Sequence, residues 1–327
     1  MFVTSDILDL KRTGSFTGFE WRENLICGVA VHASTWVGYQ AAARFLYEAA
    51  HDCGLDDSLR FASYLLLGEK VSRAIAPKSF PRLIAGGLRG ARNPIGVLLK
   101  GVVPADGTQN GGFLVGGDAS ALLDDDFSDG GRRAAADDRS RPSRACFGFP
   151  LNTAPLATAC AIMRMAVALL DVEYGYYFVR DQTCGPLIYD FGIMSPVYVD
   201  PRGREDALEI GNWWNFSRSG GLWSRPWPTL RDLFEVNLLS ERHLTTPVDG
   251  FGRLSDWIMA EPGRGRLEDA GKGRFLWILS DAEMIAARPL LHHAGLLLSC
   301  RGRVYRNLPG RGQSGSPDGA SGLDRAH

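Results

Sequence analysis

The sequence predicts an α+β fold, with mixed or antiparallel sheets packed by helices and two lobes joined by a polar linker. Three observations predict it. The chain has 327 residues, is 45% hydrophobic and 22% charged, which is enough apolar material for one large core or two smaller ones. Helical and strand-like apolar patterns interleave along the chain without a dinucleotide or phosphate-loop fingerprint. The stretch DDDFSDGGRRAAADDRSRPSR is almost free of apolar side chains, so it buries too little surface to offset its ordering entropy. The expected division is an N-terminal lobe over 1–123, a linker or long loop over 124–145, a C-terminal lobe over 146–308 and a disordered tail over 309–327.

In the N-terminal lobe, NLICGVAVHA reads as an apolar strand. Ser34 or Thr35 then caps a helix through WVGYQAAARFLYEAAHDC, with Gly54 placed to stop it. A second helix is expected from about Asp56 through SLRFASYLLLGEKVSRAI to Pro77, and a shorter one in SFPRLIAGGLRGAR. IGVLLKGVV and GGFLV read as strands.

In the C-terminal lobe, Asn152 or Thr153 caps a helix over roughly 154–170, with Pro155 in its first turn. This helix is apolar nearly all round and is therefore expected at the centre of the fold. EYGYYFVR follows as an aromatic strand. Its alternation puts Tyr174 and Tyr176 on one face and Tyr177 on the other, with PLIYDFGI as the expected hairpin partner. A polar helix, REDALEIGN, leads into a tryptophan-rich stretch. Thr229 and Asp232 resemble a capping box opening a helix in TLRDLFEVNLLS. FLWILS is a strong strand, and Ser280 with Glu283 forms a fuller capping box for the last helix, interrupted by Pro289.

Charge and cysteines narrow the function classes. A net charge of −1 supplies no global basic field for nucleic acid or an anionic membrane. The six cysteines are scattered with no CxxC pair, which reads as reduced, mostly buried thiols. The first residues lack a basic region followed by an apolar one, and the longest apolar run carries Arg164. A cytoplasmic protein of bacterial type, without a membrane partner, is the expectation.

No motif specific enough to name a family occurs. PGRGRLEDAGKGR fails as a phosphate loop, because Gly265 lies one residue too far from Gly271-Lys272 and no Ser or Thr follows the lysine. It reads as a flexible basic turn, with Arg264, Arg266, Lys272 and Arg274 a weak case for nucleic acid. Adjacent His292 and His293 point about 100° apart on a helix and suit no single metal. His243, near Glu235 and Glu241, reads as a surface or capping histidine. Cys184 falls in a Gly-Pro bend. Among the acids Glu173, Asp181, Asp190, Glu205, Asp206 and Glu209, the first two bracket a strand and lie roughly 25 Å apart at its ends. Asp190 is able to approach either across a hairpin. No metal or cofactor is expected.

The tryptophan stretch NWWNFSRSGGLWSRPWP carries the most information, with Trp213, Trp214, Trp223 and Trp227 on a segment broken by Gly220, Gly221, Pro226 and Pro228. Trp213 and Trp214, close behind a helix, read as core closure. Trp223, Arg225 and Trp227, with Arg218 and Tyr176, read as a binding surface for another protein, since Trp and Arg concentrate at interface hot spots and stack on one another. The leading expectation is a non-enzymatic, neutralising or regulatory (immunity-like) binding protein. The competing one is a hydrolase or transferase using Asp181, Asp190, Glu173 and His243 in a Trp-lined pocket.

Overall fold

A computed structural model describes residues 25–34, 37–66, 73–85, 94–104, 112–121, 143–150, 154–181, 190, 229–248 and 250–298. Its elements run β1 (Leu25–Ala33), α1 (Tyr39–Asp52), β2 (Leu59–Leu66), β3 (Arg73–Ile75), α2 (Phe80–Ile84), β4 (Pro94–Pro104), β5 (Gly112–Ala121), β6 (Ser143–Pro150), α3 (Pro155–Leu169) and β7 (Val172–Asp181). After residues 182–228 come β8 (Val236–Ser240), α4 (Glu241–Leu244), β9 (Pro247–Val248), β10 (Gly252–Arg253), α5 (Leu254–Ala260), β11 (Arg266–Gly271), β12 (Arg274–Ile278) and α6 (Asp281–His293).

Ten strands form one sheet in the order β11-β12-β8-β7-β1-β6-β5-β4-β2-β3. Every neighbouring pair is antiparallel. The fold is thus α+β, and the sheet takes strands from both sides of the polar 124–145 segment. That segment, apart from Ser143, Arg144 and Ala145, and the tail after 309 lie outside the described residues.

Strand alternation builds a core on each face of the sheet. Cys27, Val29 and Val31 of β1 and Tyr177 and Val179 of β7 face one side, where they pack with Phe45 and Leu46 of α1 and Ile162, Met163 and Ala166 of α3. Ala30 of β1 and Tyr174, Tyr176 and Phe178 of β7 face the other, against Trp257 of α5 and Met284 and Leu291 of α6. The expected split of Tyr174 and Tyr176 from Tyr177 is present. On the first face, the Cys27 thiol lies 3.4 Å from the Tyr177 hydroxyl, and burial pushes that thiol up to about 12. Cys27, Cys146 and Cys160 are buried and Cys53 is half-buried; Cys184 and Cys300 lie outside the described residues.

The helix over 39–52 starts later than expected. Its N-cap is Gly38, without a side-chain cap; the Ser34 hydroxyl donates to the Asp171 carboxylate instead, and Thr35 lies outside the described residues. Gly54, at φ +66°, ends it in the left-handed conformation that favours glycine. Residues 59–66 are strand rather than helix: β2 pairs with β4, Ala62 opposite Leu99, and this ladder overrides a run that fits either period. α3 begins after Ala154, also without a side-chain cap, and Asn152 and Thr153 lie outside the described residues. It is not central but lies on the sheet, with Leu156 and Arg164 facing outward.

The expected helix in TLRDLFEVNLLS is replaced by an irregular segment and β8. Asp232 accepts the Leu233 N–H at 2.7 Å and the Arg288 Nε–H at 2.9 Å, so it serves a buried ion pair and not a helix cap. The stretch taken for a basic turn is a hairpin of β11 and β12. Its tip, Gly271-Lys272-Gly273, is in left-handed conformations. The Ser280–Glu283 capping box is present, and α6 continues through Pro289.

Candidate functional site

The fold buries many polar groups, among them His32, Arg144, Glu173, Asp190, Arg231, Asp232, Asn237, Ser240, His243 and Arg288. Alternation dictates part of this. His32 shares its face with Ala30, two residues earlier on β1, and Tyr174 and Tyr176 of neighbouring β7 project to the same side. The polar groups form separate bonded sets.

The first set centres on Asp190, which is completely buried. Its Oδ1 accepts the Tyr176 hydroxyl at 2.6 Å and lies 3.0 Å from His32 Nε2. Arg144 Nη1 stands 3.5 Å from Oδ2 and donates to the Asp190 backbone carbonyl at 3.4 Å. Arg231 Nη1 donates to the Tyr176 hydroxyl at 2.6 Å, and the Arg231 backbone N–H donates to the Tyr174 hydroxyl at 3.0 Å. Burial works to raise the Asp190 pKa, but His32, Arg144 and the hydrogen bonds from His32 and Tyr176 prevail and hold the carboxyl well below the usual range. His32 is pushed the other way: burial, with Arg144 and Arg231 nearby, lowers its pKa against the pull of Asp190.

The second set joins Glu173, Ser240 and His243. The Ser240 hydroxyl donates to Glu173 Oε1 at 2.7 Å and lies 2.9 Å from His243 Nδ1. The Ser240 backbone N–H donates to the same Nδ1 at 3.2 Å, so His243 caps α4 in the position where Glu or Gln usually serves. Arg274 and Arg242 approach Glu173 at 3.4 and 3.7 Å. His243 is pushed down to about 3 by burial and by the charges of Arg242 and Arg274. Stacked rings connect the two sets: His243 to Tyr174 at 5.5 Å, Tyr174 to His32 at 5.8 Å, His32 to Tyr176 at 6.1 Å and Tyr176 to Phe234 at 4.4 Å between centroids.

Most of the predicted binding surface, Arg218, Trp223, Arg225 and Trp227, lies outside the described residues, as do Trp213, Trp214, Glu205, Asp206 and Glu209. Tyr176 is not at a surface. It is 0% exposed, because its strand is flanked on both edges and its face is covered by Phe234 and Arg231. Asp181 ends β7 opposite Leu25. Asp190 does come to the aromatic strand, where it meets Tyr176, and it also meets His32 of β1. His243 has the capping role expected of it and is buried. Sequence reasoning passed over His32, Arg144, Arg231 and Ser240. A histidine at the end of an apolar strand run was the available signal for the first.

The basic residues of the β11–β12 hairpin have partners within the fold. Arg264 pairs with Glu261 at 2.8 Å and sits over the Trp257 and Phe251 rings. Arg266 pairs with Glu268, which also holds Arg164. Lys272 donates to the Ala168 carbonyl at 2.7 Å, at the C-terminal end of α3, and Arg274 reaches Glu173. Among the described residues no group of three or more His, Cys, Asp or Glu is placed to hold a metal, and no helix is long and apolar enough to cross a membrane.

No family model matches the chain, and no curated protein matches it. Among solved structures it is similar to the Pseudomonas aeruginosa T6SS protein PA0821. The two are 14% identical over 90% of this chain and 77% of that chain, with a TM-score of 0.44.

Proposed function

We propose that the chain is a non-enzymatic protein-binding module, a neutralising or regulatory partner of the immunity kind acting in the cytoplasm. Its binding surface is formed by Trp223, Arg225, Trp227 and Arg218. In this reading residues 1–123 and 146–308 are two lobes that share one sheet, 124–145 is the linker and 309–327 the tail. The supporting observation is the fate of the titratable groups nominated for chemistry. Asp190 and Glu173 belong to different bonded sets, both buried, and His243 is spent as a helix cap. An acid–base site needs such groups converging on space that a substrate enters. Buried groups committed to one another instead build a scaffold. The hydrolase or transferase alternative, which required Asp181, Asp190, Glu173 and His243 in one pocket, is correspondingly less supported.

The test is affinity capture by the full chain beside a Trp223→Ala, Arg225→Ala variant, with circular dichroism to verify folding. A protein captured by the parent and lost from the folded variant supports the reading. Equal capture by both, or none by either, removes it.

A further inference from the structure

The ten-stranded sheet ends at β3 on one side and at β11 on the other. β3 spans only Arg73–Ile75, and a very short edge strand is itself a guard against further pairing. β11 is longer, Arg266–Gly271, and each of its residues is exposed or half-buried. β12 pairs with one edge of β11, and among the described residues no strand pairs with the other. At its two ends the N–H groups are taken by side chains: Gly265 donates to Glu283 at 3.1 Å and Gly271 to Asp269 at 2.8 Å. A bulge between Asp269 and Gly271 ends the regular ladder. The open edge is therefore 266–269, and such an edge presents backbone N–H and C=O groups to another extended chain.

The side chains of β11 decide which chain that is. Glu268 meets Arg164 of α3, so it lies on the first face, and alternation puts Arg266 there too; Leu267 lies on the other face, against the second core. Two copies joined edge to edge and antiparallel are related by a two-fold axis perpendicular to the sheet. One residue then lies opposite its own copy, and its neighbours pair across it. Centring on Arg266, Glu268 or Asp269 sets like charges directly face to face, which is destabilising. Centring on Leu267 sets Leu267 against Leu267 on one face, and on the other sets Arg266 of each protomer against Glu268 of its partner. Gly265 then meets Asp269 with no side chain in the way. The Arg266 side chain is 69% exposed and that of Glu268 34%, so their pairing within one strand is open to exchange for pairing across the axis. We propose that β11 is a self-association edge: a second copy of this chain adds to it, antiparallel and in the Leu267-centred register, and makes the sheet continuous through a dimer. The proposal does not rest on the tryptophan surface or on what that surface binds.

The test is sedimentation velocity of the full-length parent, Arg266→Glu, Glu268→Arg and an equal mixture of the two variants. A strand edge is far smaller than the roughly 1,200–2,000 Å² buried in standard interfaces, so the parent should dimerise weakly, with a Kd of about 10–500 µM. Arg266→Glu sets glutamates face to face and Glu268→Arg sets arginines face to face, so each alone should weaken the dimer about tenfold or more. Mixed, the two variants complement each other at both positions and should form a heterodimer of about the parent's strength. Glu268→Arg also loses the contact with Arg164, so a cysteine pair reads the register independently of it. Residues directly opposite in an antiparallel pair stand about 4.5–5.5 Å apart at Cα, within reach of a disulfide. Leu267→Cys should therefore cross-link to its own copy when glutathione disulfide oxidises the two thiols, and Asp269→Cys and the parent should not. A parent that stays monomeric up to about 1 mM overturns the proposal. So does an Arg266→Glu variant that dimerises like the parent, a mixture no stronger than its components when both are folded, or cross-linking of Asp269→Cys as ready as that of Leu267→Cys.

Discussion

Acid should destabilise this fold through His243, and the effect is separable from every other titration in the chain. Nδ1 of His243 accepts the Ser240 backbone N–H at 3.2 Å, so the capped geometry requires that nitrogen to be unprotonated. Burial, then Arg242 and Arg274, hold the ring down to about 3 from an ordinary 6.5. The folded pKa lies below the unfolded one, so between those values the unfolded chain binds a proton that the folded chain refuses. Stability from this group is therefore complete above pH 6.5 and is lost as pH falls towards 3. The slope approaches about 1.4 kcal/mol per pH unit, and the full window amounts to roughly 4–5 kcal/mol. That is comparable with the whole stability of a typical domain, about 5–15 kcal/mol. The assay is urea unfolding followed by circular dichroism at pH 7, 6, 5 and 4.5, for the parent and His243→Gln. Glutamine at this capping position still accepts the Ser240 N–H and does not titrate. The parent should lose stability more steeply than the variant by up to about 1.4 kcal/mol per unit. Parallel slopes would show that His243 does not titrate in this window and would refute the reasoning. His32, also lowered by burial, titrates in both proteins and cancels from the comparison.

Three further outcomes are expected. Asp232→Ala leaves Arg288, 4% exposed, without the carboxylate it donates to at 2.9 Å; chemical unfolding should show a loss of about 3–5 kcal/mol, and a loss under about 1 kcal/mol contradicts the buried pair. At Gly175 a Cβ would stand 2.8 Å from the Ala30 carbonyl oxygen, a backbone atom of the central strand, so Gly175→Ala should cost about 1–3 kcal/mol by the same measurement, and a neutral result would mean that β1 and β7 separate freely. Arg264, Arg266, Lys272 and Arg274 are engaged within the fold, so gel-shift titration at low ionic strength should show no DNA or RNA binding, and binding that weakens steeply with added salt would reverse this.

The parts of this architecture legible in the sequence are those whose signal is local. β1, β4, β7 and β12 are apolar or aromatic runs bounded by turn residues, and the Ser280–Glu283 box marks the start of α6 within one turn of chain. β2 was misread because Leu59–Leu66 suits two periodicities, and only its partner β4 chooses between them. Thr229 and Asp232 mimicked a helix start because a capping carboxylate and an ion-pairing carboxylate look alike until Arg288, 56 residues later, is brought beside it. The polar site suffered most. Its hydrogen bonds join residues such as His32 and Asp190, 158 positions apart, and no spacing rule reaches that far. What was visible of it was the face shared by Tyr174 and Tyr176.

The placement of β1 has a consequence for how the chain reaches its native state. The earliest described strand is hydrogen-bonded on both edges by strands far along the chain from it, with Ile26 opposite Pro150 and Leu25 opposite Asp181. During synthesis β1 must therefore wait, unpaired and apolar, until β6 and β7 have left the ribosome. Closing loops of that length precedes any reward from the contacts they allow, which makes for slow folding and prolonged exposure of an aggregation-prone strand. Refolding should be sensitive to protein concentration, and a chaperone that shields extended apolar segments should raise the yield by acting on Leu25–Ala33.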